Sequence, residues 1–270
     1  MENLFLSPLE MSRAISDIGE KKVNETIFEL FVFGVLAGIY IAFGAAVATA
    51  VSSGGTLDPG LTKFLAGSVF SVGLVLVLIL GSELFTGNIL MTIGLVYQKY
   101  SFGRVLRNWL VVYFGNLLGS LIIAWLVFNS GLLVHLGTLT PIGTVAVKIV
   151  ETKLELSFTE ALCRGILCNM LVCLAVIMCI SSRTIGGKIL GVYFPIMAFV
   201  ASGYEHSIAN MYFLPAGLMA KGEFSSGFLT IFNNLIPVTI GNIIGGLLIV
   251  LLHPKIEERI ACLLIKRNNK

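Results

Sequence analysis

Charged residues are scarce in this 270-residue chain, since Asp, Glu, Lys and Arg together make up 12% of it. A typical soluble domain carries about 25% charged residues. Hydrophobic residues account for 56% of the sequence, and they recur in runs of about 20, the length that an α-helix needs to cross a bilayer. The composition therefore excludes a soluble domain, even one with a very large core, and indicates a multi-pass membrane protein.

Several chemical signatures are also missing. No basic stripe indicates nucleic-acid binding, the five cysteines include no CxxC pair, and the chain lacks an HExxH motif and a nucleophile elbow. Four cysteines fall in or beside one apolar span, where a free thiol behaves as a small hydrophobe: Cys163, Cys168, Cys173 and Cys179. We therefore expect no catalytic residues, no metal, no cofactor and no nucleic-acid partner.

Six apolar runs are long enough to cross a bilayer core of about 30 Å. The second and fifth runs are too long for one ordinary helix, and both contain polar residues. The predicted spans are 28–51, 62–95, 108–129, 160–180, 189–220 and 231–253.

The basic residues predict the orientation of these spans, because cytoplasmic loops are enriched in Lys and Arg. Thirteen of the 18 lysines and arginines lie on one side if the N-terminus is placed there. We therefore predict a cell (inner) membrane protein with both termini in the cytoplasm. Residues 28–254 form the predicted transmembrane domain, and residues 255–270 form a cytoplasmic tail.

The cytoplasmic segment before the first span, residues 1–27, contains no apolar stretch typical of a cleavable signal. Residues 7–10 read Ser-Pro-Leu-Glu, which is the pattern of a capping box. Apolar residues then recur on one face, so residues 8–22 are predicted to form an amphipathic helix. An anchor at the membrane interface is favoured over a gate as its role.

Polar residues interrupt the second and fifth spans with the same spacing. Residues 81–88 read Gly-Ser-Glu-Leu-Phe-Thr-Gly-Asn, and residues 202–210 read Ser-Gly-Tyr-Glu-His-Ser-Ile-Ala-Asn. Each stretch places a Glu, four further residues and an Asn amid long apolar runs. Ionisable residues are costly at membrane depth and normally mark a substrate or ion pathway. The interruptions therefore predict two broken helices that meet at one transport site.

The two halves of the chain, about 28–129 and 160–253, resemble one another. Spans one and four share a Glu followed five residues later by Gly, and spans three and six share a Gly-Asn-x-x-Gly motif. Because each half has three spans, the second half must cross the membrane upside down relative to the first. Inverted repeats of this kind place the substrate path near the midplane, at their interface.

The inverted arrangement directs the N-termini of the two second half-helices toward the centre from opposite sides. Each N-terminus carries about half a positive charge and unpaired N–H groups, which together favour a small anion. Glu83 and Glu205 are unsuited to an anion path, so we predict that they are structural and accept hydrogen bonds from the freed backbone N–H groups. Asn88 and Asn210 are predicted to have a similar role.

His206 is the only histidine in the interior of a predicted span, since His135 lies in a loop and His253 at the end of a span. It lies in a break opposite the one that contains Thr86. A buried histidine is more often a hydrogen-bonded core residue, but the polar break favours a pore role. Neutral imidazole donates one hydrogen bond to an oxyanion and imidazolium donates two, and its charge changes near physiological pH. Lys153, just before span four, is either a solvated surface residue or a charge that concentrates anions.

Three stretches resemble signatures of the formate/nitrite transporter family: residues 83–88, 202–211 and 234–242. The resemblance extends over nearly all of residues 10–255. It implies an all-α membrane protein with an aquaporin-like protomer, and a homopentamer in which each protomer has its own pore. It also implies passive or proton-linked transport of formate, nitrite or hydrosulfide. Formate is slightly preferred, although the short connection at 221–230 is typical of nitrite and hydrosulfide relatives.

The resemblance also implies roles for individual residues. The family's central His and Thr match His206 and Thr86, its vestibule Lys matches Lys153, and a pore-side Asn matches Asn169. With this match, a functional Lys153 is favoured. The family's apolar constrictions match four residues on spans two and five: Phe70, Leu74, Leu84 and Phe199.

Two other functions are compatible with parts of this pattern. A neutral-solute channel of the aquaporin type shares the inverted three-span repeats, but neither break contains its Asn-Pro-Ala box, and a central His with flanking Glu residues is foreign to it. An intramembrane enzyme would need paired catalytic carboxylates or another catalytic motif, which the sequence does not show. The aquaporin-like channel is therefore kept as the alternative.

Overall fold

The computed structural model describes residues 4–55, 57–253 and 256, so the predicted tail lies outside the described residues apart from Ile256. The described chain is helical, with one short antiparallel hairpin formed by β1 (Val134–His135) and β2 (Thr138–Leu139). The helices are α1 (Pro8–Asn24), α2 (Ile27–Ser52), α3 (Pro59–Leu80), α4 (Phe85–Asn88), α5 (Thr92–Val96), α6 (Phe102–Asn129), α7 (Pro141–Leu154), α8 (Phe158–Ser181), α9 (Ile185–Ala201), α10 (Ser207–Lys221), α11 (Phe224–Gly227) and α12 (Ile231–Leu251).

Five helical segments within the described residues are long and apolar enough to cross a membrane, which confirms an all-helical membrane protein. They are Ile27–Ser52, Pro59–Leu80, Phe102–Asn129, Phe158–Ser181 and Phe224–Leu251. Two shorter apolar segments, Phe85–Val96 and Ile185–Ala201, accompany them.

The chain leaves helical geometry at both predicted interruptions. Gly81 follows α3 with φ of +78°, and Gly203 lies just after α9 with φ of +74°. This left-handed conformation, which suits glycine, ends a helix. The predicted second span is therefore divided between α3 and the α4–α5 segment, and the predicted fifth span is divided between α9 and α10.

The predicted N-terminal helix is present as α1, and its capping box between Ser7 and Glu10 is formed. The loop between α5 and α6 binds this helix through two side chains. The Tyr97 hydroxyl lies 2.8 Å from Ser12 Oγ, and the Lys99 ammonium pairs with Asp17 and Glu20 on α1. These contacts hold α1 against the transmembrane helices.

Helix α7 was not predicted. It has 14 residues and begins after Thr140, whose side chain accepts a hydrogen bond from the Gly143 N–H. The sequence reasoning looked for runs long enough to cross a bilayer, and this helix is too short and carries charged residues. Its last turn contains Lys153, so α7 sets the position of that side chain.

Glycines let the long helices approach one another closely. Gly119 on α6 lies against the Val35 carbonyl on α2, and Gly38 on α2 lies against the Asn116 carbonyl on α6, so a Cβ at either glycine would overlap the facing backbone. Gly165 on α8 meets α12 in the same way. Small residues at such crossings are typical of helix packing in membranes.

We expect Gly119→Ala to destabilise the protein by about 1–3 kcal/mol, because the added methyl group overlaps backbone that cannot move without separating α2 from α6. Thermal unfolding of the detergent-solubilised protein measures this. Gly103→Ala is the matched control, since Gly103 lies in the first turn of the same helix with open space around it. The control should gain up to about 1 kcal/mol of helix propensity. Equal changes in the two variants would contradict the close-approach explanation.

Candidate functional site

An asparagine from α6 binds the backbone of the first break. The Phe85 N–H donates a 3.0 Å hydrogen bond to Asn116 Oδ1. Asn116 Nδ2 in turn donates to the carbonyls of Gly34 and Glu83, at 2.8 and 2.9 Å. One buried amide therefore satisfies two backbone groups of the break, the Phe85 N–H and the Glu83 carbonyl, which hydrocarbon could not. Its bond to the Gly34 carbonyl connects the break to α2.

The second break has a matching arrangement with an asparagine from α12. The Ser207 N–H donates to Asn242 Oδ1 at 2.9 Å, and Asn242 Nδ2 donates to the carbonyls of Gly165 and Glu205 at 2.8 and 3.0 Å. Sequence reasoning noted both asparagines in a repeated glycine motif, but it did not identify this role because their partners lie on other helices.

Glu83, in the first break, is paired with a lysine that sequence reasoning missed. Lys22 Nζ from α1 lies 2.7 Å from Glu83 Oε1 and 2.9 Å from Asn88 Oδ1. Asn88 Nδ2 donates to Glu83 Oε2 at 2.7 Å and to Asn108 Oδ1 at 2.9 Å. Lys22 belongs to the N-terminal helix, which was predicted to be an anchor at the membrane interface rather than a partner of the break.

Glu205, in the second break, has the equivalent partners. Lys153 Nζ lies 2.8 and 2.9 Å from its two carboxylate oxygens. Asn210 Nδ2 donates to Glu205 Oε2 and to Asn234 Oδ1, each at 2.7 Å. Asn234 Nδ2 donates to the Lys153 carbonyl at 2.9 Å, and the ammonium also lies 5.4 Å from the centre of the Phe213 ring.

The two glutamates were predicted to accept hydrogen bonds from freed backbone N–H groups, and this prediction is wrong. Their carboxylates bind lysine and asparagine side chains, and Asn116 and Asn242 bind the backbone instead. The physical reason is charge: a carboxylate at membrane depth needs a cation nearby, whereas a neutral amide suffices for backbone N–H groups. At the start of each second half-helix, one N–H group that was expected to be unpaired therefore donates to an asparagine: the Phe85 N–H to Asn116 and the Ser207 N–H to Asn242.

Thr86 and His206 meet between the two breaks. Thr86 Oγ1 lies 2.9 Å from His206 Nε2, and both residues are buried. His206 is also the N-cap of α10, where its Nδ1 accepts a 3.1 Å hydrogen bond from the Ala209 N–H. Because Nδ1 is an acceptor, we assign the proton of the neutral ring to Nε2, which donates to the Thr86 oxygen. The Thr86 hydroxyl hydrogen is then available to another acceptor.

Cavities lie on both sides of this pair. The first, which we call the Lys153 vestibule, has a volume of about 190 Å³ and reaches from Lys153 to His206. A central cavity of about 10 Å³ follows, also lined by His206. Beyond it, two adjoining cavities of about 50 and 300 Å³ share Lys22 and Ser82, and we call them together the Lys22 vestibule.

The four predicted constriction residues separate these cavities. Phe70 and Phe199 line both the Lys153 vestibule and the central cavity, and their rings make an edge-to-face contact with centroids 5.6 Å apart. Leu74 and Leu84 line both the central cavity and the smaller cavity of the Lys22 vestibule. The central cavity is about large enough for one water molecule, so the conformation described is closed to a hydrated ion.

Asn169 supports the backbone of the Thr86 segment. Its Nδ2 donates to the Thr86 carbonyl at 3.2 Å and to the Asn242 carbonyl at 2.6 Å. Its Oδ1 is buried and has no hydrogen-bond partner among the described residues. Asn169 therefore lies next to the Thr86–His206 pair, and its side-chain oxygen can still accept a hydrogen bond.

The four cysteines of the described chain are free thiols, and those of α8 at positions 168, 173 and 179 are buried. No group of three or more His, Cys, Asp or Glu side chains is placed to hold a metal ion within residues 4–55, 57–253 and 256.

The fold and the site define a membrane transport protein, in which apolar helices enclose a line of cavities with a paired ammonium group at each end. The chain belongs to the formate/nitrite transporter family, because the sequence model of that family matches residues 9–255. It is 42% identical to a probable formate transporter of Methanothermobacter thermautotrophicus, over 93% of this chain and 96% of the relative. It is 36% identical to the formate channel FocA of Escherichia coli (strain K12), over 91% and 92% of the two chains.

Solved structures are also similar to this chain. One is a pentameric formate channel with formate bound, with a TM-score of 0.71 and 36% identity over 83% of this chain and 94% of that one. Another is an FNT family ion channel, with a TM-score of 0.81 and 28% identity over 91% and 96%. Because the relatives are channels and transporters, the chain is an anion-transport protein of this family rather than an enzyme.

We expect Asn242→Ala to lower the thermal stability of the detergent-solubilised protein. The substitution removes the partner of the Ser207 N–H and of the Glu205 carbonyl in the break, at a cost of about 1–3 kcal/mol for each group that stays unsatisfied. Asn129→Ala is the control, since that exposed amide makes one hydrogen bond, to the Trp125 carbonyl at the end of α6. A stability change for Asn242→Ala no larger than that of the control would show that the amide does not hold the break.

Proposed function

We propose that this protein transports small monovalent anions of the formate, nitrite and hydrosulfide class, with formate preferred, through a path in each protomer. The observation that carries this proposal is the line of cavities from Lys153 past His206 to Lys22. Relatives named as formate channels and transporters support formate as the preferred anion. They lend no support to the alternative of an aquaporin-like channel for neutral solutes.

The proposal includes six spans in two inverted three-span repeats, within a transmembrane channel domain at 28–254. The matching hydrogen bonds of Asn116 and Asn242 support this symmetry, as do the matching lysine–glutamate pairs. The pentameric assembly of a similar solved channel supports a homopentamer. The excess of basic residues on the membrane side that holds the N-terminus supports a cytoplasmic location for the Lys22 vestibule in the cell membrane.

Each lysine can still attract an anion although it is paired. An ammonium group has three N–H donors, and the contacts of Lys153 with Glu205 use two of them. Lys22 likewise binds one oxygen of Glu83 and one of Asn88. One donor at each end therefore remains for an arriving anion, and the neighbouring carboxylate keeps the anion from being held too tightly to leave.

The apolar constrictions require the anion to lose its water. Phe70, Phe199, Leu74 and Leu84 offer no hydrogen bonds, and the transfer of a bare charge into such surroundings is strongly unfavourable. Desolvation also raises the pKa of a carboxylic acid. Formate therefore takes up a proton near the constriction and crosses as the neutral acid, so that each formate carries one proton with it.

Thr86 and His206 form the binding position for formate at the centre of the path. The Thr86 hydroxyl donates its free hydrogen to a formate oxygen, while His206 orients that hydroxyl through Nε2. Because the Ala209 N–H already occupies Nδ1, the geometry favours the neutral ring. The proton enters the water chain from the solution in the vestibule and is relayed past His206 to formate. An O–H bond forms on formate as one breaks on the last hydronium of the chain, which is left as neutral water. Proton donation by an imidazolium His206 is the other route, and it would require Nδ1 to lose the hydrogen bond from the Ala209 N–H.

We expect His206→Asn to reduce formate uptake into proteoliposomes about tenfold or more and to change its pH dependence. The shorter amide cannot both cap α10 and reach Thr86, and a hydrogen bond to a charged group contributes about 1.5–3 kcal/mol. His135→Asn, in the exposed hairpin, is the control. If His206→Asn left both the flux and its pH dependence unchanged, the proposed role of the histidine would be wrong.

The alternative function predicts a different permeant. Light scattering from vesicles that contain the purified protein compares glycerol with formate, nitrite and hydrosulfide at several pH values. We expect anion-dependent volume changes and no glycerol permeation above that of protein-free vesicles. Glycerol permeation without formate permeation would favour the aquaporin-like channel.

A further inference from the structure

The two vestibules differ in their carboxylates. In the Lys153 vestibule, the carboxylate that lines the described cavity is Glu205, the partner of the lysine. The larger cavity of the Lys22 vestibule is lined by Glu83, the partner of Lys22, and by a second carboxylate, Glu25. The sequence reasoning assigned no role to Glu25, which lies in the short connection between α1 and α2.

The backbone of Glu25 is held in place by hydrogen bonds, while one oxygen of its side chain lacks a partner. Arg107 on α6 donates to the carbonyls of Glu25 and Val23, at 3.0 and 2.8 Å. Glu25 Oε2 is buried and has no hydrogen-bond partner among the described residues. Lys22, which could have neutralised it, is already bound to Glu83 and Asn88. The surroundings of Glu25 therefore stabilise the charged form of its carboxyl group only weakly.

Charged groups face Glu25 from several elements. Those that line the same cavity come from α1, the first break and α9: Lys21, Lys22, Glu83 and Lys188. Glu29 lies in the first turn of α2, and Arg107 approaches from α6 through the backbone contact.

The protonated form is favoured by burial and by repulsion. Burial raises the pKa of Glu25 from 4.5 to about 7, with a further contribution from the negative charge of Glu83 and a smaller one from Glu29, while Lys22 opposes the shift. Glu25 is therefore a neutral acid below about pH 7 and a carboxylate above it. Three lysines and two glutamates line this cavity, so its charged side chains sum to +2 with Glu25 neutral and to +1 with Glu25 ionised.

We propose that Glu25 is a proton-exchanging residue of the transport path, one that sets the charge of the Lys22 vestibule and so its access to anions. The neutral carboxyl group donates a hydrogen bond to an arriving oxyanion, whereas the ionised group repels it. For the neutral acid leaving the constriction, Glu25 is also the proton acceptor. The O–H bond of the acid breaks, an O–H bond forms on Glu25, and the proton then passes to water as the anion leaves. This inference rests on the proposed function, because it needs anions to use this vestibule.

Labelled-formate exchange across proteoliposomes, at equal pH on both sides, tests the inference. The fraction of formic acid falls with pH for every variant, so the informative quantity is the ratio of rates at pH 6 and pH 8. We expect this ratio to be about five times larger for the unmodified protein than for Glu25→Gln, which corresponds to one like charge at about 4 Å in a medium of high dielectric constant. Glu155→Gln, an exposed carboxylate before α8, should match the unmodified protein. Equal ratios for all three proteins would overturn the proposal.

A second measurement does not depend on transport. Infrared difference titration of the purified protein should show a carboxyl C=O band that disappears with a midpoint near pH 7, is absent in Glu25→Gln and is shifted in Glu25→Asp. The absence of a band assignable to Glu25 would overturn the inference even if formate is transported. If no formate flux were found but the band were present, the proposed function would fail while the proton exchange at Glu25 stood.

Thermal stability supplies an independent check on folding. Between pH 4.5 and about 7 the folded protein holds a proton on Glu25 that the unfolded chain has released. Stability from this group is therefore lost as the pH rises through that window. Glu25→Gln should fold and should remove this part of the decline, and an unchanged decline would contradict the assignment.

Discussion

The backbone of a broken helix in a bilayer must find its hydrogen-bond partners within the protein, and the rest of this structure depends on that constraint. Two amides, Asn116 and Asn242, meet it by binding the backbone at each break. The breaks can then bring polar side chains to membrane depth without leaving unsatisfied groups in contact with lipid. The glycine contacts between α2 and α6 and between α8 and α12 bring these amides close enough to reach the breaks.

Charge is balanced within the same arrangement. Glu83 and Glu205 would be prohibitively costly at this depth alone, and each is paired with a lysine from outside its own span. The pairs in turn place one ammonium group at each end of the line of cavities. The two breaks have similar frameworks but differ where they meet, because Leu84 holds the capping position that His206 holds in the other. The proposed chemistry of transport depends on that difference, while the framework depends on the similarity.

The apolar helices and both breaks could be predicted from the sequence, because hydropathy and a repeated polar spacing are local signals. The pairing of Thr86 with His206 was within reach, since both interrupt apolar runs. The role of Lys22 was not, because it requires α1 to fold back against the first break. The partners of Glu83 and Glu205 were also assigned wrongly, since the spacing of residues along one helix does not reveal which amides other helices supply. Helix α7 was missed because it is too short to cross a bilayer.

The proposed path takes formate past the Thr86 hydroxyl between the two vestibules. The most direct measurement is the initial rate of formate uptake by proteoliposomes that contain Thr86→Val, which removes the hydroxyl and keeps the shape. Thr49→Val is the control, because the Thr49 hydroxyl lies on the vestibule wall and is bound to the Ala45 carbonyl. The account predicts uptake slowed about tenfold or more by Thr86→Val and little changed by the control. Uptake by Thr86→Val at the unmodified rate would contradict it.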